Sequence, residues 1–185
     1  MKILAISGSL KSDSSNTAVL RAMSKLAVDM KMEFTFFEGL DALPHFSPER
    51  DGDHHEAVNH LRAEVKKADG VVICTPEYAF GVPGVLKNAL DWLVSSGEMN
   101  EKSVAAISAS PLPSGGNKAH ASLMNTLTAL GTSIAEGAKL MIPAIKKKID
   151  ANGVILDAEF EKDLRTVLLA FQETIQKRLV VTNGA

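Results

Sequence analysis

The chain has 185 residues, of which 45% are hydrophobic and 23% charged, and its formal net charge is −2. This size and composition are typical of one soluble globular domain, and the near balance of charge argues against the basic surface that nucleic-acid binding requires. The single cysteine cannot form an internal disulfide or a zinc site, and no segment approaches the roughly 20 apolar residues of a membrane span. We therefore expect a cytoplasmic protein with small-molecule partners, no nucleic acid and no membrane.

Short β-rich runs alternate with longer segments of helical periodicity along the chain. The β-rich runs predict five strands, at residues 2–7, 32–38, 70–75, 102–108 and 137–143. The helical patterns predict helices at residues 16–30, 54–68, 85–95, 117–130 and 158–179. Because parallel strands need crossover connections, which are usually helices, we expect an α/β three-layer sandwich with a five-stranded parallel sheet and helices on both faces. Residues 1–179 are expected to form this single domain, and residues 180–185 a flexible C-terminal tail.

Three loops leave the carboxyl ends of the predicted strands, where such sheets bind ligands. The first follows the first strand, within SGSLKSDSSN at residues 7–16, and has the glycine spacing of neither a dinucleotide-binding fold nor a P-loop. Its serine hydroxyls and the backbone amides that open the next helix suit a terminal phosphate without a metal ion. The alternative is that these polar residues only cap the helix.

The second loop lies in TPEYAFGVPGVLKNALDWL, which begins at Thr75. Its prolines and glycines make it stiff, while Tyr78 and Phe80 offer flat apolar surfaces that suit a planar group. The alternative is a rigid connection with buried aromatic side chains. In the third loop, SASPLPSGGNKAH, Gly115 and Gly116 precede a helix and allow a ligand edge to approach backbone amides.

These motifs together resemble those of the NADPH-dependent FMN reductases, a flavodoxin-like family that includes quinone and chromate reductases. The resemblance extends from Lys2 to about Leu179 and is most specific in GSL-K-SDSSN and TPEY…G-PG-LKNALDW. It implies that the FMN phosphate and ribityl chain contact Ser9, Lys11, Ser15, Asn16 and Thr17. It also implies that the isoalloxazine ring lies between the second and third loops. The second loop would contact the ring through Pro76, Glu77, Tyr78 and Ala79, and the third loop through Ser110, Gly115 and Gly116.

Three positions depart from the family pattern. Lys11 stands where arginine is usual, so a planar two-point contact becomes a point charge. Ala79 stands where asparagine usually follows the tyrosine, which removes an amide near the ring. The segment PLPS precedes Gly115 where glycine is more usual, so the contacts of the third loop are the least secure.

The resemblance implies an FMN-dependent oxidoreductase that takes electrons from NADPH or NADH. A quinone, or else chromate, an azo compound or free flavin, would accept two electrons in a ping-pong sequence, and the enzyme would be a homodimer or homotetramer. No side chain is predicted to be catalytic, because the flavin carries the chemistry. The alternative is a flavodoxin-like electron carrier without turnover of its own, but the near-neutral charge and the single tryptophan and tyrosine disfavour it.

We assign no catalytic role to the remaining polar and aromatic residues. Cys74, within the most apolar strand, is predicted to be a core thiol. Trp92 and Leu93 are either core residues or part of a subunit interface, and the resemblance favours the interface. The lysines at 146–148 are predicted to be a solvated charge run that could attract anions. No metal site is predicted, because the spacing of the histidines does not place ligands on one helical face: His45, His54, His55 and His60.

Overall fold

The structure, a computed structural model, describes residues 1–183 and the side chains up to residue 180. In this part of the chain five strands form one parallel sheet: β1 (Lys2–Ser7), β2 (Glu33–Phe36), β3 (Gly70–Thr75), β4 (Ser103–Ala109) and β5 (Lys139–Ile142). Five α-helices connect and follow them: α1 (Ser15–Leu26), α2 (Glu56–Lys67), α3 (Gly84–Asp91), α4 (Asn117–Ala129) and α5 (Ala158–Asn183). The predicted flavodoxin-like three-layer α/β fold is confirmed.

The strand order across the sheet is β2-β1-β3-β4-β5, and all four neighbouring pairs are parallel. The chain moves outward from β1 to the β2 edge, returns to β3 on the other side of β1, and continues to the β5 edge. The order therefore reverses between β1 and β3, which is the place where open α/β sheets bind ligands.

Two hydrophobic clusters lie on opposite faces of the sheet because successive strand side chains point to opposite faces. Val72 and Cys74 of β3 belong to the cluster under α1 and α5. Val71 and Ile73 belong to the cluster under α2, α3 and α4. Every residue of β3 and β4 is buried, as expected for central strands covered on both faces.

The predicted elements all form, and their differences from prediction are at their ends. The first helix stops at Leu26, and a 3₁₀ turn, Val28–Met30, follows, in which Met30 N donates to the Ala27 carbonyl. Lys31 adopts a left-handed conformation (φ 55°) and ends this turn. β2 is shorter than predicted, since this edge strand pairs only with β1, over Glu33–Phe36. The α3 helix ends at Asp91, where i to i+3 bonds such as Val94 N to Asp91 O replace the helical pattern.

The last helix continues to Asn183, past the predicted end at residue 179. The predicted flexible tail over 180–185 therefore begins within this helix, and residues 184–185 lie outside the described residues; its flexibility stays a prediction, as does the single-domain division. No helix in residues 1–183 is long and apolar enough to cross a membrane.

Candidate functional site

A cleft of about 330 Å³ lies at the carboxyl ends of β1, β3 and β4, where the three predicted loops meet. Eight of the residues predicted from the sequence line it: Ser9, Lys11, Ser15, Asn16, Pro76, Glu77, Tyr78 and Ser110. Four others do not: Thr17, Ala79, Gly115 and Gly116. The structure thus brings together the expected loops, and these four residues lie outside the lining of the cleft.

The first loop is held in shape by its own hydrogen bonds. The Ser9 hydroxyl accepts a hydrogen bond from Lys11 N at 3.3 Å, and Ser14 N donates to the Lys11 carbonyl at 3.2 Å. Ser14 is the N-cap of α1, and its hydroxyl accepts from Asn16 N at 3.2 Å. The capping alternative therefore holds for Ser14, whereas the other N–H groups of the first turn are available for an anion in the cleft.

Thr17 supports this loop from the side that faces the sheet. Its hydroxyl donates to the Ser7 hydroxyl at 2.9 Å, and it lines the neighbouring cavity over β1 and β2. Gly8 lies between Ser7 and the loop, and its N–H donates to the Cys74 carbonyl at 2.8 Å. A Cβ at Gly8 would lie 3.0 Å from Thr75 Oγ1 and 3.3 Å from Thr75 Cα, so any side chain here would crowd the end of β3.

Lys11 is exposed and already paired with an acidic neighbour. Its Nζ lies 2.9 Å from a carboxylate oxygen of Asp13, and both side chains are more than 60% exposed. The hydrogen bond from Lys11 holds the pKa of Asp13 below its usual range, and the charge of Lys146 adds to the effect. A phosphate in the cleft would therefore compete with Asp13 for Lys11.

Lys146 is a cleft residue that the sequence-based site prediction missed. It lines the cleft from the 3₁₀ turn Ile145–Lys147, which follows β5. The lysine run at 146–148 was the available signal, but the sequence does not show that the turn after β5 reaches the cleft. Lys146 and Lys11 give the cleft two cations, beside the carboxylates of Asp13 and Glu77.

Asn16 is buried at the floor of the cleft, where it contacts the core. The Cys74 thiol donates to Asn16 Oδ1 at 3.2 Å, and burial raises the pKa of this thiol. Cys74 is fully buried and is not part of the cleft lining. The prediction of a core thiol is confirmed, and the thiol orients the amide of a predicted site residue.

The second loop presents two aromatic side chains to solvent on a tight turn. Tyr78 and Gly81 exchange backbone hydrogen bonds of 3.1 and 3.0 Å, with Ala79 (φ 49°) and Phe80 (φ 61°) between them in left-handed conformations. Tyr78 is 55% exposed and Phe80 80%, so the alternative of buried aromatics is wrong. A turn of this kind favours asparagine and glycine at its two central positions, so Ala79 and Phe80 hold it under backbone strain.

Glu77 connects the second loop to the third. Its Oε2 accepts hydrogen bonds from Lys118 N at 2.8 Å and Ala119 N at 2.9 Å, the free N–H groups in the first turn of α4. Gly116, the N-cap residue, has φ 76° and no side-chain cap of its own. Glu77 supplies the missing cap from another loop, and its carboxylate is committed to that contact.

The third loop closes around the end of β5. Ser110 is buried, and its hydroxyl accepts from Leu112 N at 3.1 Å while its own N–H donates to the Ile142 carbonyl at 3.1 Å. Gly115 has φ 62°, and a Cβ there would lie 3.1 Å from Pro143 N. The hydrogen bonds of Ser110 and the close approach of the chain at Gly115 fix the backbone of the third loop beside the cleft.

Trp92 belongs to the core. Its side chain is fully buried, its Nε1 donates to the Pro44 carbonyl at 2.8 Å, and Phe46 and His55 contact it edge-on. Leu93 is also buried. The expectation that these two residues form a subunit interface is therefore wrong, because the chain's own loop before α2 covers the tryptophan.

Comparisons with known proteins agree with the geometry. The family model described as NADPH-dependent FMN reductase matches residues 1–147. A 2-hydroxy-1,4-benzoquinone reductase from Burkholderia sp. is 32% identical over 184 residues, covering 97% of this chain and 99% of that protein. A quinone reductase from Escherichia coli K12 is 30% identical over 182 residues, covering 96% of each.

A solved structure shares the fold closely. FerB of Paracoccus denitrificans, described as a flavoenzyme NAD(P)H:(acceptor) oxidoreductase, superposes with a TM-score of 0.86 at 30% identity, covering 95% of this chain and 97% of that one. The family match spans more than half of the chain and includes all three loops of the cleft. This chain belongs to the NADPH-dependent FMN reductase family.

Proposed function

We propose that this chain binds FMN in the three-loop cleft and transfers two electrons from NAD(P)H to a quinone or a similar small acceptor. Chromate, an azo compound and free flavin are further acceptors of this class. The observation that carries the proposal is the cleft itself, which lies at the reversal of strand order and joins a polar loop, an aromatic loop and a glycine-containing loop. The relatives named as quinone reductases support a quinone as the acceptor.

The donor groups of the cleft fit the phosphate of FMN. Lys11 and Lys146 supply positive charge, and hydroxyls come from Ser9 in the first loop and Ser15 at the start of α1. The α1 N-terminus adds backbone N–H groups and the positive end of the helix dipole. These groups suit a dianion, although Asp13 offsets part of the attraction.

The other two loops fit a planar ring. Pro76 and Tyr78 form one wall, Ser110 and Leu112 form the other, and the Glu77 cap holds the two loops at a fixed separation. Bound FMN supplies the redox chemistry of the isoalloxazine ring. We assign no acid or base to a side chain; this chain's residues bind the cofactor and leave one side of the cleft open to substrates.

Donor and acceptor are proposed to use the same opening in turn, which gives a ping-pong sequence. Steady-state turnover of NADPH and NADH with a panel of quinones, chromate, azo dyes and free flavin tests this. Double-reciprocal plots at several acceptor concentrations should be parallel, and intersecting lines would require a ternary complex. Negligible turnover with every acceptor would favour the flavodoxin-like electron carrier.

A homodimer or homotetramer in the cytoplasm completes the proposal. Large apolar side chains are exposed on the three loops that form the cleft, and exposed apolar patches are typical of interaction surfaces: Leu10, Tyr78, Phe80 and Leu112. Measurement of the molar mass in solution by light scattering tests the assembly, and a monomer at all concentrations would contradict it.

A further inference from the structure

A second cavity, of about 420 Å³, adjoins the three-loop cleft on the other side of the first loop. It lies over the carboxyl ends of β1 and β2, and it shares Ser9 and Lys11 with the cleft. Its volume is within the range of small-molecule sites, roughly 300–1,000 Å³. The first loop is thus the wall between two spaces, and one extended ligand could reach from the opening of the first into the second.

Two oppositely charged side chains line this second cavity without forming an ion pair. Arg21 lies on α1, and Glu38 follows β2. Within the part of the chain that the structure describes, neither side chain has a hydrogen-bond or ion-pair partner. The cavity therefore offers a free guanidinium to an anion and a free carboxylate to hydroxyl donors.

The remaining lining matches the other parts of a nucleotide. Its apolar surface comes from Leu10, which is exposed, and Phe36, which is half-buried, and Gly39 (φ 119°) has open space around it. Ser12 of the first loop adds a hydroxyl to the lining. Each part of a nucleotide has a matching group in this cavity: Arg21 for the phosphates, Glu38 for the ribose and the apolar surface for the base.

We propose that this cavity binds the adenosine diphosphate part of the electron donor, with Arg21 on the diphosphate and Glu38 on the hydroxyls of the adenosine ribose. This rests on the proposed function, because the donor must also reach FMN in the neighbouring cleft. A carboxylate accepts hydrogen bonds from a ribose diol but repels a 2′-phosphate, because the carboxylate and the phosphate are both anionic. Glu38 therefore makes NADH the preferred donor over NADPH.

Calorimetric titration of the FMN-loaded protein with ADP-ribose and with its 2′-phosphorylated form tests the proposal directly. ADP-ribose should bind at least about fivefold more tightly than the 2′-phosphate form. Glu38→Gln should remove this preference, and Arg21→Gln should weaken both ligands about fivefold or more. The ratio of KM values for NADH and NADPH should follow the same pattern.

Matched control variants change the same charges elsewhere on the same elements. Glu33→Gln alters an exposed carboxylate at the opposite end of β2, and Lys25→Gln an exposed cation in the last turn of α1. Both should bind the two ligands as the unaltered protein does. Binding of ADP-ribose that neither Glu38→Gln nor Arg21→Gln changes would overturn the proposal, as would no binding at all.

The flavin titration separates this proposal from the function it rests on. Each variant is titrated with FMN before ADP-ribose is added. If FMN binds and NADH reduces it, but ADP-ribose does not bind, only the proposal for the second cavity fails and the proposed function stands. If FMN does not bind, the proposed function fails and this inference fails with it.

Discussion

Replacing Glu77 with alanine should lower stability, because its carboxylate caps α4 from another loop. The contact consists of two hydrogen bonds, of 2.8 and 2.9 Å, to the backbone N–H groups of Lys118 and Ala119. Loss of an N-cap costs about 0.5–2 kcal/mol, and loss of a negative charge at a helix N-terminus costs about 0.3–1 kcal/mol more. We therefore expect Glu77→Ala to lower the free energy of unfolding by about 1–3 kcal/mol.

The assay is thermal unfolding of the flavin-free protein, so that ligand binding does not contribute. For a chain of this size, about 1 kcal/mol corresponds to about 2–4 °C in Tm, so a fall of at least about 2 °C is expected. Glu77→Gln keeps one acceptor oxygen, so its Tm should fall by less than that of Glu77→Ala. Glu173→Ala, which changes an exposed glutamate within α5, is the control and should leave Tm nearly unchanged.

A second measurement distinguishes capping from contact with the ligand. If Glu77→Ala unfolds at the same temperature as the unaltered protein, the capping argument is wrong. If it also binds FMN much more weakly at unchanged stability, the carboxylate acts on the ligand and not on α4.

Four other predictions follow from single contacts. Lys11→Ala should weaken FMN binding about fivefold and leave riboflavin nearly unchanged, since a largely solvated charge contact contributes about 1 kcal/mol; an unchanged FMN-to-riboflavin affinity ratio would exclude Lys11 from the phosphate site. Ala79→Asn should raise the free energy of unfolding by about 0.5–1 kcal/mol in urea titrations, because asparagine tolerates the left-handed conformation at φ 49° better than alanine does; lower stability would contradict the strain. Burial, aided by the charge of Lys139, lowers the pKa of His120 in the folded protein, so the unfolded state takes up the proton first as pH falls below the ordinary value of 6.5. Stability should therefore decrease on acidification through that range, and His120→Leu should show a smaller decrease when urea midpoints are compared on either side of pH 6.5. Cys74 should react with thiol reagents only after unfolding, because the thiol is buried and its pKa is raised; rapid labelling of the native protein would show that the strand opens.

The sequence predicts the fold well because its signals are local. Alternating apolar runs and helical periodicities determine the five strands and five helices, and parallel strands then require helical crossovers. Errors occur at element ends, where the structure depends on single backbone conformations. After Leu26 and after Asp91 the helical pattern gives way to i to i+3 hydrogen bonds that no periodicity reveals.

The site was predictable as a set of loops but less so residue by residue. Loops that leave the carboxyl ends of parallel strands must meet at one edge, so strand order alone predicted that the three loops form one site. The family resemblance then supplied individual residues such as Ser9, Lys11 and Tyr78, which line the cleft. Lys146 was missed because its position depends on the path of the turn that follows β5. The commitment of the Glu77 carboxylate to α4 was missed because that contact joins residues 41 and 42 positions apart.

Trp92 illustrates a different limit. The family resemblance favoured an interface role for it, but residues of a distant loop, Pro44 and Phe46, cover the ring in this chain. Whether a helix face is covered by its own chain or by a partner depends on tertiary packing, which neither composition nor motif specifies.

The central claim is that this chain uses FMN to pass electrons from NAD(P)H to a small acceptor. The most direct test is an anaerobic titration of the FMN-loaded protein, followed by its flavin absorption. We predict that one equivalent of NADH or NADPH bleaches the flavin band and that one equivalent of a quinone then restores it, with no other protein present. A flavin band that neither nucleotide bleaches, or that no small acceptor restores after bleaching, would contradict the account.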